Sequence, residues 1–237
     1  VEQMKTMGLF GAIIPAEYGG LGLSTATYAA IVARMAAVWM SISGIINSHL
    51  IMASAVMRSG TEAQKRDLLP RFASGALRGG IGLTEADAGT DLQAIRTRAV
   101  RDGEHYVING SKMWITNSLH GGCLALLVKT DPQAEPRHKG MSLFIAEKGP
   151  GFIVTRKLKK LGYRGIDTCE LQFDNYRVPA DRLIGGVEGR GLQQVLSGLE
   201  LGRINVAARG LGVATASLHD AVAYAQQRKT FGKPIAQ

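Results

Sequence analysis

The chain has 237 residues, of which 46% are hydrophobic and 20% charged, and its mean hydropathy is +0.04. These proportions provide enough apolar surface for a buried core and exclude a disordered, collagen-like or coiled-coil protein. The formal net charge of +9 favours anionic ligands, but the basic residues are dispersed and form no tail, which argues against a nucleic-acid-binding protein.

Cysteine and histidine usage bounds the chemistry further. The two cysteines, Cys123 and Cys169, belong to no Cys-x-x-Cys pattern, and the five histidines do not fall at metal-ligand spacing. We therefore expect neither a disulfide framework nor a metal site. No charged segment followed by a cleavable apolar stretch opens the chain, so the expected location is cytoplasmic.

The first region, residues 1–79, has the apolar spacing of three and four that predicts helices. Within it, residues 35–57 carry no formal charge and are long enough to span a bilayer. Polar residues in the centre of that stretch, such as His49, instead favour a buried helix pair and no membrane insertion. Another helix is predicted over 62–72, with Thr61 as its N-cap and Gln64 completing a capping box.

The middle region, residues 80–187, contains short apolar segments separated by turn signals, among them Asn109-Gly110, which predict β-strands. The predicted strands cover 105–109, 112–116, 124–129, 142–146 and 170–173. We expect an antiparallel β-barrel or sandwich. Trp114 and Thr116 should share one face of a strand and could contact a flat ring there, although Trp114 taken alone fits core packing better.

The last region, residues 188–237, begins after a glycine-rich run that we interpret as a hinge between domains. A helix of about 35 residues is predicted from 192 to 228, a length typical of a helical bundle. Its apolar stripe consists of Ala207, Leu211, Ala214 and Leu218. Because such a helix needs partners, we expect this domain to be partial. The predicted fold class is thus α+β multidomain, with all-α, β and helical-bundle domains in that order.

Two local motifs could hold a ligand. Residues 83–91 are rich in small and hydroxyl side chains that could line a polar or phosphate-bearing ligand, or could simply form a turn between domains. At the end of the long helix, Arg228, Lys229 and Lys233 surround Thr230 and Phe231. That cluster could bind a pyrophosphate, or its positive charges could interact favourably with the helix dipole at the C-terminal end.

Six motifs, taken in order, resemble the acyl-CoA dehydrogenase family along essentially the whole chain. They are GLFGAIIPAEYGGLGLS, GTEAQKRDLLPRFASGAL, GLTEADAGTDL, INGSKMWITN, ELQFDNYRVPADRLIG and QQRKTFGKPIAQ. The resemblance implies a helical domain, a β domain and a four-helix domain that enclose FAD, in subunits that form a homodimer or homotetramer. It also implies that this chain covers the middle part of a usual subunit.

The resemblance implies FAD-binding roles for residues in three segments. They are Ile81, Leu83, Thr84 and Thr90 along the flavin, Trp114, Ile115 and Thr116 at its ring, and Arg228, Thr230 and Phe231 toward the FAD of the neighbouring subunit. The usual Pro-Gly after Thr-Glu is Ala86-Asp87 here, and Thr90 stands where the family usually has serine.

The activity that the resemblance implies is dehydrogenation of an acyl-CoA to trans-2-enoyl-CoA, with electrons passed to an electron-transferring flavoprotein. Thr90, Glu200 and Arg203 are the implied acyl-CoA contacts, although Glu200 and Arg203 could instead form a structural ion pair. Isovaleryl-type and long-chain relatives supply the catalytic glutamate from the position of Gly202, and glycine cannot serve. No catalytic residue is therefore assigned in this chain, and the base is expected beyond Gln237.

Two other functions remain open from the sequence. One is an oxygen-using flavoenzyme of the same fold, an oxidase or a monooxygenase. The other is a non-catalytic member that binds FAD or CoA.

Overall fold

The computed structural model describes all 237 residues, and its elements follow the predicted order of helical, β and helical regions. The helices are α1 (Glu2–Thr6), α2 (Thr25–Ser59), α3 (Glu62–Ala73) and α4 (Gly191–Gln227). The strands are β1 (Gly79–Gly82), β2 (Arg98–Asp102), β3 (His105–Thr116), β4 (Cys123–Lys129), β5 (Met141–Glu147), β6 (Phe152–Lys157), β7 (Thr168–Pro179), β8 (Lys229–Thr230) and β9 (Lys233–Pro234). This arrangement confirms the predicted fold class.

Element α2 consists of two helices that meet at Trp39, whose φ of −157° and ψ of 102° are extended and not helical. The predicted helix pair is present in this form, with its break at Trp39 and its start at Thr25. By length and composition alone, α2 is long and apolar enough to cross a membrane. Its second half packs instead into the protein, where His49, Leu50 and Met52 are buried.

The start of α3 confirms the predicted capping box. The Thr61 hydroxyl accepts a hydrogen bond from the Gln64 N–H (3.2 Å), and the Gln64 side-chain oxygen accepts one from the Thr61 N–H (3.0 Å). The Gln64 side-chain nitrogen also donates to the carbonyls of Asp181 (2.6 Å) and Leu183 (2.7 Å). One capping residue therefore starts the helix and ties it to the segment that precedes α4.

The middle region is one seven-stranded sheet in the order β1-β4-β2-β3-β7-β6, with β5 paired to the other edge of β4 along its whole length. Most pairs are antiparallel, as predicted, but β4 runs parallel to β1 and β2. Both faces of β4 are covered, which explains its nearly continuous apolar sequence. Ala125 and Leu127 face a first core shared with α2 and α3, whereas Leu124 and Leu126 face a second core inside the curled sheet.

The predicted turn at Asn109-Gly110 is wrong, because both residues lie within β3. The register between β3 and β7 shifts there, and Gly110 has a φ of +147°. A side chain at position 110 would begin about 2.6–2.8 Å from atoms of Thr97, so glycine is required by close approach rather than by a reversal. The two strands predicted over 105–116 are consequently one bulged strand.

Helix α4 confirms the predicted long helix and packs antiparallel along α2. A Cβ atom at Gly202 would lie 2.7 Å from the Ile51 Cδ1, and one at Gly212 would lie 2.1 Å from the Ala33 carbonyl oxygen. These glycines let the two helices approach closely. The predicted apolar stripe through Leu211 and Leu218 lies on the opposite, exposed side of α4.

Candidate functional site

The residues assigned to the site fall in two places, and the first lies where β1 meets the end of β3. A Cβ atom at Gly80 would be 2.4 Å from the Thr116 carbonyl oxygen, so the two backbones touch there. Beyond β1, the Thr84 carbonyl accepts a hydrogen bond from the Met113 N–H (2.8 Å). Two segments therefore run side by side: the threonine loop (residues 83–90) and the bulge segment (residues 113–116).

Trp114 stands out in the bulge segment because 57% of its surface is exposed and its φ is +64°. The β3–β7 register shifts between Lys112 and Ile115, so the regular alternation is interrupted beside Trp114, and the shared face of Trp114 and Thr116 stays a prediction. The expectation that Trp114 packs in a core is wrong as well. A bulky side chain at left-handed φ costs about 1–3 kcal/mol, and such strain concentrates at functional sites.

The residues beside Trp114 divide into buried and accessible ones. Ile115 lies in the second core and Leu83 in the first, so their side chains are not available to a ligand and any contact would use their backbone. Thr116 and Ile81 are half-buried. A flat group packed against the indole would therefore contact the hydroxyl of Thr116 and an otherwise mainly apolar surface.

The threonine loop is closed by a tight backbone turn. The Glu85 N–H donates to the Ala88 carbonyl (2.8 Å), and the Ala88 N–H donates back to the Glu85 carbonyl (3.3 Å). Thr84 is half-buried, and Thr90 beyond the turn is exposed. The loop thus presents two hydroxyl side chains next to the bulge segment.

A fully buried ion pair lies beneath this loop. The Lys112 ammonium donates to the Glu85 carboxylate (2.8 Å) and to the Leu83 carbonyl (2.9 Å), and no part of its side chain is exposed. The Glu85 carboxylate also accepts from the backbone N–H groups of Arg96 (2.6 Å) and Thr97 (3.0 Å). The pair therefore joins the loop, β3 and the start of β2.

The pKa values of the pair reflect burial and mutual attraction. Burial lowers the pKa of Lys112 from 10.5 to about 8, against the opposing effect of the Glu85 carboxylate. Burial also disfavours the charged form of Glu85, but the Lys112 ammonium and the two backbone donors outweigh it and keep the Glu85 pKa below its usual range. Both groups are charged at neutral pH, so Glu85 is committed to structure and does not act as a free base.

Asn117, at the other end of the bulge segment, is also buried and has a φ of +62°. Its side-chain nitrogen donates to the carbonyls of Ile45 in α2 (2.8 Å) and Gly79 in β1 (3.0 Å). Sequence reasoning missed Lys112, Glu85 and Asn117. The available signal was Lys112 itself, a charged residue adjoining an apolar strand, which requires a partner when it points inward.

The second place is the end of α4, where Arg228, Thr230 and Phe231 are exposed, Phe231 completely. The β8–β9 hairpin folds back on α4 through the bond from the Ala236 N–H to the Ala225 carbonyl (3.1 Å). Gly202 lies near the part of α2 that contacts the first place, since its Cβ position is 4.0 Å from the Asn47 side-chain oxygen and the nearby Ile45 carbonyl accepts from Asn117. At 1.5 Å per residue, Arg228 is roughly 40 Å further along the helix, so one chain does not bring the two places together.

The residues of α4 that the resemblance linked to acyl-CoA lie on two faces. Glu200 and Arg203 are exposed, and a Glu200 oxygen lies 3.9 Å from an Arg58 nitrogen, so the alternative of a Glu200–Arg203 ion pair is wrong. Gly202 is buried beside Ile51, whose terminal Cδ1 would have to shift to admit a Cβ atom. Because position 202 carries glycine, this chain supplies no carboxylate there.

Family models for three domains match consecutive parts of the chain and together cover nearly all of it. They are described as acyl-CoA dehydrogenase N-terminal domain, middle domain and C-terminal domain, and they match residues 1–76, 80–176 and 189–237.

Similar proteins carry related names. The chain is 38% identical to (2S)-methylsuccinyl-CoA dehydrogenase of Cereibacter sphaeroides, over 99% of this chain and 44% of that protein. Butyryl-CoA dehydrogenase of Megasphaera elsdenii matches with a TM-score of 0.94 and 35% identity, over 100% of this chain and 62% of that one. A chain solved in work on the electron transferring flavoprotein of Acidaminococcus fermentans matches with a TM-score of 0.95 and 36% identity, over 100% and 62%. The chain thus spans about half to three fifths of the length of these relatives.

Proposed function

The chain belongs to the acyl-CoA dehydrogenase family, and we propose that, within the complete protein, it serves the FAD-dependent conversion of an acyl-CoA thioester to a trans-2-enoyl-CoA. One observation carries this proposal beyond family membership. The indole of Trp114 is held exposed at a left-handed backbone position, directly beside the hydroxyl-bearing threonine loop.

The residues around the bulge segment fit a flavin. The exposed indole offers an aromatic surface for a flat ring, and half-buried Thr84 and Thr116 offer hydroxyls for its polar edge. Exposed Thr90 follows the tight turn of the threonine loop, where a phosphate-bearing chain would find a hydroxyl and backbone donors. Ile81, Leu83 and Ile115 contribute the apolar floor and backbone of the same surface.

A bound flavin would supply an acceptor for the hydride that leaves the β-carbon of the acyl group, and a base would take the α proton. The residues of this chain would bind and orient the substrate and cofactor and exclude water. Trp114 would cover the ring, and the threonine hydroxyls would fix its orientation. In a water-poor site the hydrogen bonds that polarise the thioester carbonyl are stronger than in solution, which makes the α proton more acidic.

We propose that two subunits complete each FAD site, as a homodimer or homotetramer. Arg228, Thr230 and Phe231 are exposed and roughly 40 Å along α4 from the level of the bulge segment, which favours a role toward a neighbouring subunit. An arginine and a hydroxyl suit a pyrophosphate, and an exposed phenylalanine suits an adenine or a ring.

For the substrate we propose contacts from Thr90, Glu200 and Arg203, of which Arg203 provides an exposed planar fork for a phosphate or carboxylate. The catalytic base is proposed to lie beyond Gln237. Two features support this: position 202 carries glycine and offers no carboxylate, and Glu85 is committed to Lys112.

An electron-transferring flavoprotein is the proposed electron acceptor, which the similarity to the Acidaminococcus chain supports. The proposed location is the cytoplasm, which suits two buried free cysteines. We propose domain boundaries after residues 79 and 187, because β1 begins the sheet and α4 follows the glycine-rich run.

The direct test is the visible absorption spectrum of the complete purified protein, before and after anaerobic addition of a short acyl-CoA. A yellow protein that bleaches supports both the cofactor and the reaction. A colourless protein that takes up no added FAD would contradict the proposal. Reoxidation of the bleached protein by electron-transferring flavoprotein, and not by dissolved oxygen, separates a dehydrogenase from an oxidase.

A further inference from the structure

The bulge segment is held at both ends by buried polar side chains that reach away from β3. At its start, Lys112 bonds to Glu85 and Leu83 of the threonine loop. At its end, Asn117 bonds to Ile45 of α2 and Gly79 of β1. Trp114 and Thr116 lie between these two residues.

The regular sheet does not fix this segment. The β3–β7 pairing is interrupted between Lys112 and Ile115, and Trp114 sits at left-handed φ, a conformation that an aromatic residue does not hold by preference. Ladder hydrogen bonds to β7 are therefore missing beside the indole, and the backbone bond there, from the Met113 N–H to the Thr84 carbonyl, leaves the Trp114 side chain itself unconstrained. Some other interaction must define the direction in which Trp114 points.

The Lys112 end is suited to that task because its contacts are fully desolvated. An ammonium without exposure has no water to exchange with, so its bonds to Glu85 (2.8 Å) and Leu83 (2.9 Å) fix the lateral distance between β3 and the threonine loop. Glu85 is in turn held by the N–H groups of Arg96 and Thr97. Because Thr84 is next to Glu85, the bonds that hold Glu85 also fix the position of Thr84.

The Asn117 end fixes the segment against α2. Asn117 is buried, and its side-chain amide donates hydrogen bonds to carbonyls of two different elements, at 2.8 and 3.0 Å. Asparagine tolerates left-handed φ, which lets the strand turn out of the sheet at that point. The segment is thus clamped between the loop on one side and the helix on the other.

We propose that Lys112, through Glu85, and Asn117 are positioning residues that set the direction of Trp114 and the spacing between Trp114 and Thr84. Neither residue is required to touch substrate or cofactor. The consequence for flavin binding rests on the proposed function, whereas the effect on Trp114 itself does not.

The test uses the complete protein with Trp39, and any tryptophan outside residues 1–237, replaced by phenylalanine, so that Trp114 is the one fluorescent indole. Lys112→Met removes the first clamp. Asn117→Gly removes the second while leaving the backbone free to keep its positive φ. Should Lys112→Met not fold because Glu85 is left buried and charged, the Glu85→Gln/Lys112→Met double variant removes both charges.

Two matched controls separate positioning from general damage. Lys65→Met breaks an ion pair of the same 2.8 Å length, with Glu62, on the surface of α3. Asn175→Gly removes an exposed asparagine that also has positive φ, at +48°. Neither control touches the threonine loop or the bulge segment.

The first readout is the fluorescence anisotropy decay of Trp114 without FAD. We expect the fast, local component to grow about twofold or more in both clamp variants and to stay unchanged in both controls. The second readout is FAD binding. In the clamp variants alone, the dissociation constant for FAD should rise about tenfold or more, and the midpoint potential of bound flavin should shift.

Unchanged anisotropy in both clamp variants would overturn the proposal whether or not FAD binds. If Trp114 became mobile while the FAD affinity and the midpoint potential of bound flavin stayed unchanged, the proposed positioning role would also be overturned. Failure of the parent protein to bind FAD would contradict the proposed function instead, and the anisotropy would still decide whether the clamps hold Trp114.

Discussion

The bulge segment and the end of α4 differ in how the same chain holds the residues that its family resemblance singles out. Around Trp114, buried groups surround the candidate site: a desolvated Lys112–Glu85 pair and a buried Asn117 fix a strained backbone. At the end of α4, Arg228 and Phe231 stand free in a hairpin that packs back on its own helix. Under the proposed function, the first region would be a preformed half of a site, and the second a surface that acquires its role when another subunit meets it.

Burial explains why the two regions should respond differently to mutation and pH. Desolvated polar groups lose several kcal/mol of solvation and are stable only with their partners, so changes near the bulge segment affect folding and function together. Exposed side chains at the end of α4 contribute little to folding, so changes there should affect ligand binding alone. The predictions below test this contrast.

The largest expected effect concerns pH and His49, which connects α2 to β1 behind the bulge segment. The Gly79 N–H donates to His49 Nδ1 (3.3 Å), so Nε2 carries the proton and donates to the Phe72 carbonyl (3.1 Å). Burial lowers the pKa of His49 from 6.5 to about 4. Between those values the unfolded state takes up a proton that the folded state refuses, so the free energy of unfolding falls as the pH falls.

At about 1.4 kcal/mol for each pKa unit, the loss should reach about 3 kcal/mol below pH 4, with no contribution above pH 6.5. Urea unfolding of wild type and His49→Gln across this range isolates the effect. The pH dependence should become shallower by that amount in His49→Gln and stay unchanged in the control His219→Gln, which alters an exposed histidine. Equal slopes in all three proteins would show that His49 is not buried as described.

The next effect compares two glycines of α4. A methyl group at Gly212 would meet the Ala33 carbonyl oxygen at 2.1 Å, so Gly212→Ala should force α2 and α4 apart and lower the free energy of unfolding by about 1–3 kcal/mol. Gly210 has open space, so Gly210→Ala should instead raise it by about 0.5–1 kcal/mol. Thermal or urea unfolding of both variants checks the opposite signs, and equal signs would contradict the packing described for α4.

The smallest effect on stability is expected at the end of α4. Arg228→Ala and Phe231→Ala should change the free energy of unfolding by less than about 0.5 kcal/mol, because both side chains are exposed. Their FAD affinity should nevertheless drop in the complete protein. Calorimetric unfolding and FAD titration together test this separation. Loss of stability with unchanged FAD binding would reverse the contrast between the two regions.

Local features of the fold could be predicted from the sequence, whereas the contacts that shape the site could not. The capping box at Thr61 and Gln64 spans four residues and is predicted correctly, as is the length of α4. Asn109-Gly110 has the composition of a turn, but its conformation is decided by the close approach of Thr97, which directly precedes β2. No local pattern contains that information.

The same limitation applies to Trp114 and its clamps. A period of two places Trp114 and Thr116 on one face, but the bulge that breaks this period comes from the register with β7, far away in sequence. Lys112 and Glu85 are 27 positions apart, and nothing in either neighbourhood identifies the other. The family resemblance supplied the candidate FAD residues, while the residues that hold them in place emerged only from the three-dimensional contacts.

The most direct test of a site shared between two regions of different subunits is complementation in mixed dimers of the complete protein. Trp114→Ala and Phe231→Ala subunits, each carrying a different affinity tag, are co-expressed and the mixed dimer is isolated. We predict that both parent variants bind FAD poorly and that the mixed dimer regains one tight site in two, because one site then combines an intact Trp114 with the partner's intact hairpin. A mixed dimer that binds FAD as poorly as its parents would contradict the shared site.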